Sequence, residues 1–147
     1  MLIEIRKATA EDAAIVAPLF DAYRMFYKQQ PDIDGAFNFI NERLQQNESD
    51  IFIAFINNEA VGFTQLYPIF TSVGMQRTFL LNDLFVKDSA RGKGIATSLL
   101  NAAKDFGKAT GRKWLMLETA NDNFTAQALY EKNGWTKETD FFYTIKL

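Results

Sequence analysis

The sequence predicts a mixed α/β domain, a sheet with helices on both faces in the order β-α-α-β-β-β-α-β-α-β-β. Three observations predict it. Short runs rich in β-branched and aromatic residues interleave with longer runs whose apolar residues recur at helical spacing. The turn Arg91-Gly92-Lys93-Gly94-Ile95-Ala96 joins an apolar run to an amphipathic one, the pattern of a strand feeding a helix. No stretch of Pro, Gly or Ser divides the 147 residues, so one domain spanning 1–147 is expected.

Leu2 to Lys7 alternates apolar and polar residues and is expected to form the first strand. Thr9 and Asp12 resemble a capping box with a shortened acid. Ile15, Val16, Leu19, Phe20, Tyr23, Phe26 and Tyr27 then predict a helix over about 10–28, kinked at Pro18. After the break Pro31-Asp32-Ile33-Asp34-Gly35, a second helix carries Phe37, Ile40 and Leu44 and runs to about Gln46. Ile51 to Ile56 and Ala60 to Leu66 flank Asn57-Asn58-Glu59, a hairpin signal. The second of these strands is expected to reach Pro68, with a loop over 71–76 and a further strand from Phe79 to Val86. Ile95, Leu99, Ala102, Ala103 and Phe106 mark the inner face of a helix over 95–109. Trp114 to Thr119 should return parallel to Phe79–Val86 by a right-handed crossover. Asn123 to Lys132 is expected to be a short helix closed by Gly134. Trp135 to Leu147 reads as two closing strands.

Composition narrows the chemistry. With no cysteine and no histidine, the chain has no thiol nucleophile, no disulfide, and neither the commonest metal ligand nor the commonest base near neutral pH. Chemistry must run on carboxylates, phenols, lysines, hydroxyls, backbone amides and water, and no metal site is expected. No apolar run of about 18 residues and no charged-then-apolar leader occurs, so a cytoplasmic protein without a membrane partner is expected. Net charge is −2, but residues 1–75 carry −5 and residues 76–147 carry +3. That split suits a polyanion held by the second half and a cation received by the first, although scatter over a solvated surface accounts for it equally well. With a sequence pI near 5.2 and no dense basic patch, nucleic acid is not an expected partner.

The glycine turn is the sharpest signal. The first N–H groups of a helix lack internal partners and carry about half a positive charge, so a glycine-rich strand–helix junction binds anions. A Walker loop is excluded because no Gly-x-x-x-x-Gly-Lys-Ser/Thr string occurs. A dinucleotide fingerprint is excluded as well, since Thr97 replaces its third glycine and no acid follows about 20 residues on. Alone, such a turn can be a tight connection. A second motif, Asn123-Phe124-Thr125-Ala126-Gln127-Ala128-Leu129-Tyr130-Glu131-Lys132-Asn133-Gly134-Trp135, stands one helix and one strand further on.

Together these segments resemble the GCN5-related N-acetyltransferase (GNAT) superfamily. Arg91-x-x-Gly94-x-Ala96 is similar to its pyrophosphate signature, and Asn123–Trp135 to its Asn-x-x-Ala-x-x-Leu-Tyr-Glu-Lys-x-Gly-Phe pattern, with Trp135 for Phe. The resemblance implies the GNAT fold and an acetyl-CoA-dependent N-acetyltransferase. It implies a pyrophosphate held by Arg91, Gly92, Lys93, Gly94, Ile95, Ala96 and Thr97, and pantetheine paired along Leu84-Phe85-Val86, with the Leu84 N–H polarising the thioester carbonyl. Asn123 and Ala126 would lie along the donor arm, Asn123 alternatively serving as a helix cap. Tyr130 is implied as the general acid protonating the departing thiolate, against its alternative as a core tyrosine.

Asn82-Asp83-Leu84-Phe85-Val86 resembles the Glu-Asp-Phe-Phe-Val stretch of the polyamine and thialysine acetyltransferases, but Asn82 replaces the acid proposed as base there. Asp83, expected on the opposite side of the strand from Asn82, and Glu118 are the candidate bases, each acting through water; each is equally a structural acceptor. The acceptor side is expected to include Tyr23, Tyr27, Tyr67 and Asn82, with Asp21, Asp32 and Asp34 nearby. This acidic, aromatic wall suits a cationic amine, and small polyamines or lysine-like amino acids are the expected acceptors. A protein lysine or N-terminus, and a non-catalytic acyl-CoA sensor, are the alternatives. A homodimer through the last strands is a further expectation from the resemblance, with Phe141, Phe142 and Tyr143 alternatively in the core.

Overall fold

A computed structural model describes all 147 residues. Five strands, β1 (Ile3–Lys7), β2 (Asp50–Ile56), β3 (Glu59–Thr71), β4 (Gln76–Val86) and β5 (Leu115–Met116), form one sheet in sequence order. The first four are antiparallel, and β5 lies parallel to β4 through Phe79↔Leu115 and Leu80↔Met116. Helices α1 (Ala13–Phe26) and α2 (Ile33–Gln45) cover one face; α3 (Ile95–Ala109) covers the other, and α4 (Phe124–Lys132) follows β5. No helix is long and apolar enough to cross a membrane.

Strand alternation sorts the core into two layers. Phe52, Ala54, Leu66, Phe79 and Leu81 pack against Ile95, Leu99, Leu100 and Ala103 of α3. Ile51, Ile53, Phe63 and Phe85 pack against Val16 and Leu19 of α1 and Ile40 and Leu44 of α2. Each fully buried large side chain contributes about 1.5–3 kcal/mol.

Several boundaries differ from the sequence reading. Helix α1 starts at Ala13 and runs on through Pro18. Asp12 does pair with Thr9, accepting its backbone N–H at 2.7 Å, but it also takes both arms of Arg6, at 2.8 and 3.1 Å, so the motif ties β1 to the turn before the helix. The Arg6 hydrogen bonds draw the Asp12 carboxyl down from 3.8 to about 2. Asp12→Asn is expected to cost about 1–2 kcal/mol at neutral pH, a figure reduced because the Arg6 side chain is 37% exposed. The wild-type contribution is complete above about pH 4 and disappears as pH falls through about 2, so melts of the two proteins should converge in acid.

Strand β3 runs past Pro68 to Thr71. β2 begins at Asp50, opposite Leu66, and does not extend alongside Pro68, so the missing proline N–H leaves no β2 bond unmade. The loop over 71–76 tightens to a turn, and β4 begins at Gln76.

At the far end of the sheet the sequence reading is corrected. Strand β5 keeps two residues of the expected six, and no closing strands form in 135–147. A two-residue strand is too short a template for another. Phe141, Phe142, Tyr143 and Ile145 are therefore exposed rather than core.

Candidate active site

The glycine turn folds as a tight left-handed bend. Gly92 and Gly94 have φ of +76° and +79°, a left-handed conformation that strains a residue with a Cβ and so favours glycine at both. Gly94 is also the N-cap of α3, without a side-chain cap and without an acid in the first turn. In contrast Asp32 caps α2 and Asn123 caps α4 through their side-chain oxygens. The first N–H groups of α3 thus remain available to an anion. Lys93 and the backbone of Gly92 and Gly94 lie exposed, and a Cβ at either glycine meets nothing within 4 Å. The Arg91 side chain is half exposed and folds back on the strand: its Nε donates to the Val86 carbonyl at 3.1 Å and its guanidinium pairs with Asp88, stapling the turn to β4. Ile95 is buried under the turn. Thr97 accepts from Asn133 Nδ2 at 3.2 Å, which leaves its hydroxyl proton free to point outward. These residues fit a diphosphate. Gly94→Val, strained at this φ and putting a side chain into the open approach, is expected to weaken CoA binding at least ~tenfold, measured by calorimetry.

Beside the turn, β4 has an open edge. Its pairing with β5 stops at Leu80↔Met116. The Lys87 N–H bonds to Val61 of β3 at 2.8 Å, so by alternation the N–H groups of Val86 and Leu84 point away from β3, into the gap. The Val86 carbonyl, taken by Arg91, points the same way. Phe85 meanwhile packs in the α1/α2 core. The expected backbone role of Leu84–Val86 and their packing are therefore compatible.

The third part is a cleft of about 500 Å³ between α1, α2 and β4, lined by Tyr23, Tyr27, Tyr67, Asn82 and Asp83 together with Phe20, Phe39 and Asp32. A β-bulge creates its floor. Pairing jumps from Gln65↔Asp83 to Leu66↔Leu81, leaving Asn82 as the extra residue. Leu81 accordingly faces α3 while Asp83 and Phe85 face α1 and α2. Simple alternation put Asn82 and Asp83 on opposite sides; the bulge turns both into the cleft, where Asn82 Nδ2 donates to Asp83 Oδ1 at 2.8 Å. The Tyr23 hydroxyl donates to the Asn82 carbonyl at 3.1 Å and so fastens the bulge to α1.

Asp83 is only 2% exposed, and burial raises its carboxyl above the ordinary range, opposed by hydrogen bonds from Asn82 and Gln65. Burial, and then the negative charge of Asp83, push Tyr67 up to about 12. Burial also raises Tyr23 and Tyr130, so all three phenols keep their protons at neutral pH. Tyr130 is half-buried, its ring 6.2 Å from Trp135.

The remaining expectations divide. Glu118 is exposed beyond β5 and is not among the residues lining the cleft. Asn123 caps α4, accepting the Ala126 N–H at 3.1 Å. Asp32 lines the cleft, whereas Asp21 is taken up by Arg24 at 2.8 Å and by the Asp32 N–H, and Asp34 lies outside. Missed altogether were Gln65 and Ser49, buried behind Asp83, and Asn133 behind Thr97. The signal for the first was Thr64-Gln65, two polar residues inside an apolar strand.

An open glycine turn at a helix start, an open strand edge and a cleft floored by a buried carboxyl thus lie on neighbouring elements. The Acetyltransferase (GNAT) family profile matches residues 16–135, and the chain belongs to that family. It is 50% identical over 141 residues to the uncharacterized N-acetyltransferase YhfO of Bacillus subtilis, covering 96% of this chain and 95% of that one. A probable acetyltransferase of Haemophilus influenzae is 35% identical over 124 residues, 84% of this chain and 85% of the other. The crystal structure of a probable acetyltransferase superposes with a TM-score of 0.92 at 35% identity, covering 98% of this chain and 97% of that chain. The protein is a GNAT-type acetyltransferase.

Proposed function

We propose that the enzyme transfers acetyl directly from acetyl-CoA to the primary amine of a small cationic acceptor, a polyamine or a lysine-like amino acid, bound in the aromatic cleft. The observation that carries this reading is Asp83, a buried carboxyl at the floor of that cleft on the strand whose open edge begins at Leu84. Bound there, acetyl-CoA supplies the thioester carbonyl. The N–H groups of Gly92 to Thr97 hold its pyrophosphate, and the Leu84 N–H polarises the carbonyl. Asp83 takes the ammonium proton through one water, leaving a neutral amine able to attack. Tyr130 gives its proton to the departing sulfur, and the second amine proton, lost to solvent as the amide forms, balances the proton that solvent returns to Tyr130. Without cysteine or histidine in the chain, direct transfer is favoured over a covalent acetyl-enzyme.

Two carboxylates, Asp32 and Asp83, and the rings of Tyr23, Tyr27 and Phe39 supply the attraction for an extended cation. The size of the cleft favours a small amine over a protein segment. Thiol release from acetyl-CoA tests the reading with spermidine, free lysine-like amino acids and a lysine peptide. Turnover is expected with the free amines; turnover with the peptide alone would replace the acceptor by a protein lysine. A second copy joined through the exposed 141–147 tail is also proposed, and removing 139–147 should then halve the sedimenting mass.

A further inference from the structure

Behind the candidate base lies a hydrogen-bond chain the transfer step itself does not use. Ser49 Oγ bonds to Gln65 Oε1 at 2.8 Å, and Gln65 Nε2 donates to Asp83 Oδ2 at 2.5 Å. All three residues are buried on the α1/α2 face, Gln65 at 0% exposure. Both Asp83 oxygens accept from an amide N–H, Oδ1 from Asn82 and Oδ2 from Gln65. That pattern suits the ionised carboxyl, because a protonated one needs an acceptor for its O–H and neither amide N–H supplies one.

We infer that Gln65 is a positioning residue that swivels with the protonation of Asp83, its far end satisfied in both orientations by the Ser49 hydroxyl. Ser49 makes this possible because a hydroxyl both donates and accepts. With Asp83 ionised, Gln65 Nε2 donates to it and Gln65 Oε1 accepts from Ser49. When Asp83 takes the proton released by the ammonium group, its new O–H donates to Gln65 Oε1 in the turned amide, and Gln65 Nε2 donates to Ser49 Oγ. Asp83, Gln65 and Ser49 each keep a hydrogen-bond partner in either state, as a base that cycles once per turnover requires. The other groups facing Asp83 do not offer this exchange. Tyr23 donates to the Asn82 carbonyl; Tyr67 lines the cleft near Arg43; Arg24 is held by Asp21; Asp32 caps α2.

This inference rests on Asp83 as base, and the test separates the two. The Asp83 carboxyl is titrated by carbon NMR in protein labelled at aspartate, assigned by its loss in Asp83→Asn. Gln65→Met removes the charge-assisted bond, and the midpoint is expected to rise by about one pH unit, with the acid limb of kcat/KM moving alongside. Ser49→Ala withdraws a partner from both states equally, so kcat/KM should fall several-fold with the midpoint unmoved, and Ser49→Thr should restore it. A midpoint unchanged in Gln65→Met overturns the inference; so does one that rises in Ser49→Ala, since a fixed Gln65 would then be released. If the midpoint moves as expected but no amine is acetylated, the swivel stands and the base assignment falls.

Discussion

Asp83→Asn is expected to lower kcat/KM for every accepted amine by about 10²–10⁴-fold, the usual contribution of a positioned base, while leaving CoA affinity nearly unchanged. The substitution keeps the shape of the side chain, and the glycine turn proposed to hold CoA is a separate element. Its second consequence is in stability. Burial lifts the Asp83 carboxyl above its unfolded value, so the folded protein holds this proton more tightly than the unfolded chain does. Wild-type stability therefore falls as pH rises through the raised value, and Asn carries no such loss. The variant should lose activity, with its stability relative to wild type improving as pH rises across the range in which the buried wild-type carboxyl ionises. Calorimetric melts across that range, alongside initial rates, check both halves. A variant as active as wild type removes Asp83 from the chemistry.

Tyr130→Phe is expected to lower kcat by about 10²-fold, the lower end for general-acid catalysis because a thiolate is a competent leaving group. Burial holds the phenol in its protonated form across the working pH range, so it can donate to the sulfur without first having to be recharged. The ring packs against the α3-side core beside Trp135, and phenylalanine keeps that packing. CoA binding should stay within about twofold, less than 0.5 kcal/mol. Equal losses in kcat and CoA affinity would make Tyr130 a packing and binding residue instead.

The sequence reading reached furthest where one local pattern decides structure. Ile95, Leu99, Ala103 and Phe106 recur at helical spacing, and α3 spans the residues they mark. Gly94 was legible for the same reason, since a strand, a glycine turn and a helix start leave few alternatives. The cleft was only half legible. Tyr23, Tyr27, Tyr67, Asn82 and Asp83 do share it, but the bulge at Asn82 depends on the register between β3 and β4, which no single strand encodes. For that reason alternation misplaced Asn82 relative to Asp83, and Gln65 passed unnoticed as a partner of a residue 18 positions away. Glu118 would end a strand beside β4 only if β5 continued to Thr119. With β5 ending at Met116, Glu118 is exposed and away from the cleft. The aromatic tail shows the same dependence: 135–147 has strand-forming residues, and strands need a template that two residues of β5 do not supply.

The central claim is that one enzyme face brings an acyl-CoA thioester, held along Leu84–Val86, against an amine beside Asp83. A crystal structure with CoA and the best acceptor of the amine panel tests it most directly. The pyrophosphate is expected on the N–H groups between Gly92 and Thr97, the thiol within reach of Tyr130, and the amine nitrogen one water from Asp83. An amine seated outside the Tyr23–Tyr67 cleft, or a pyrophosphate bound away from the glycine turn, would contradict the account.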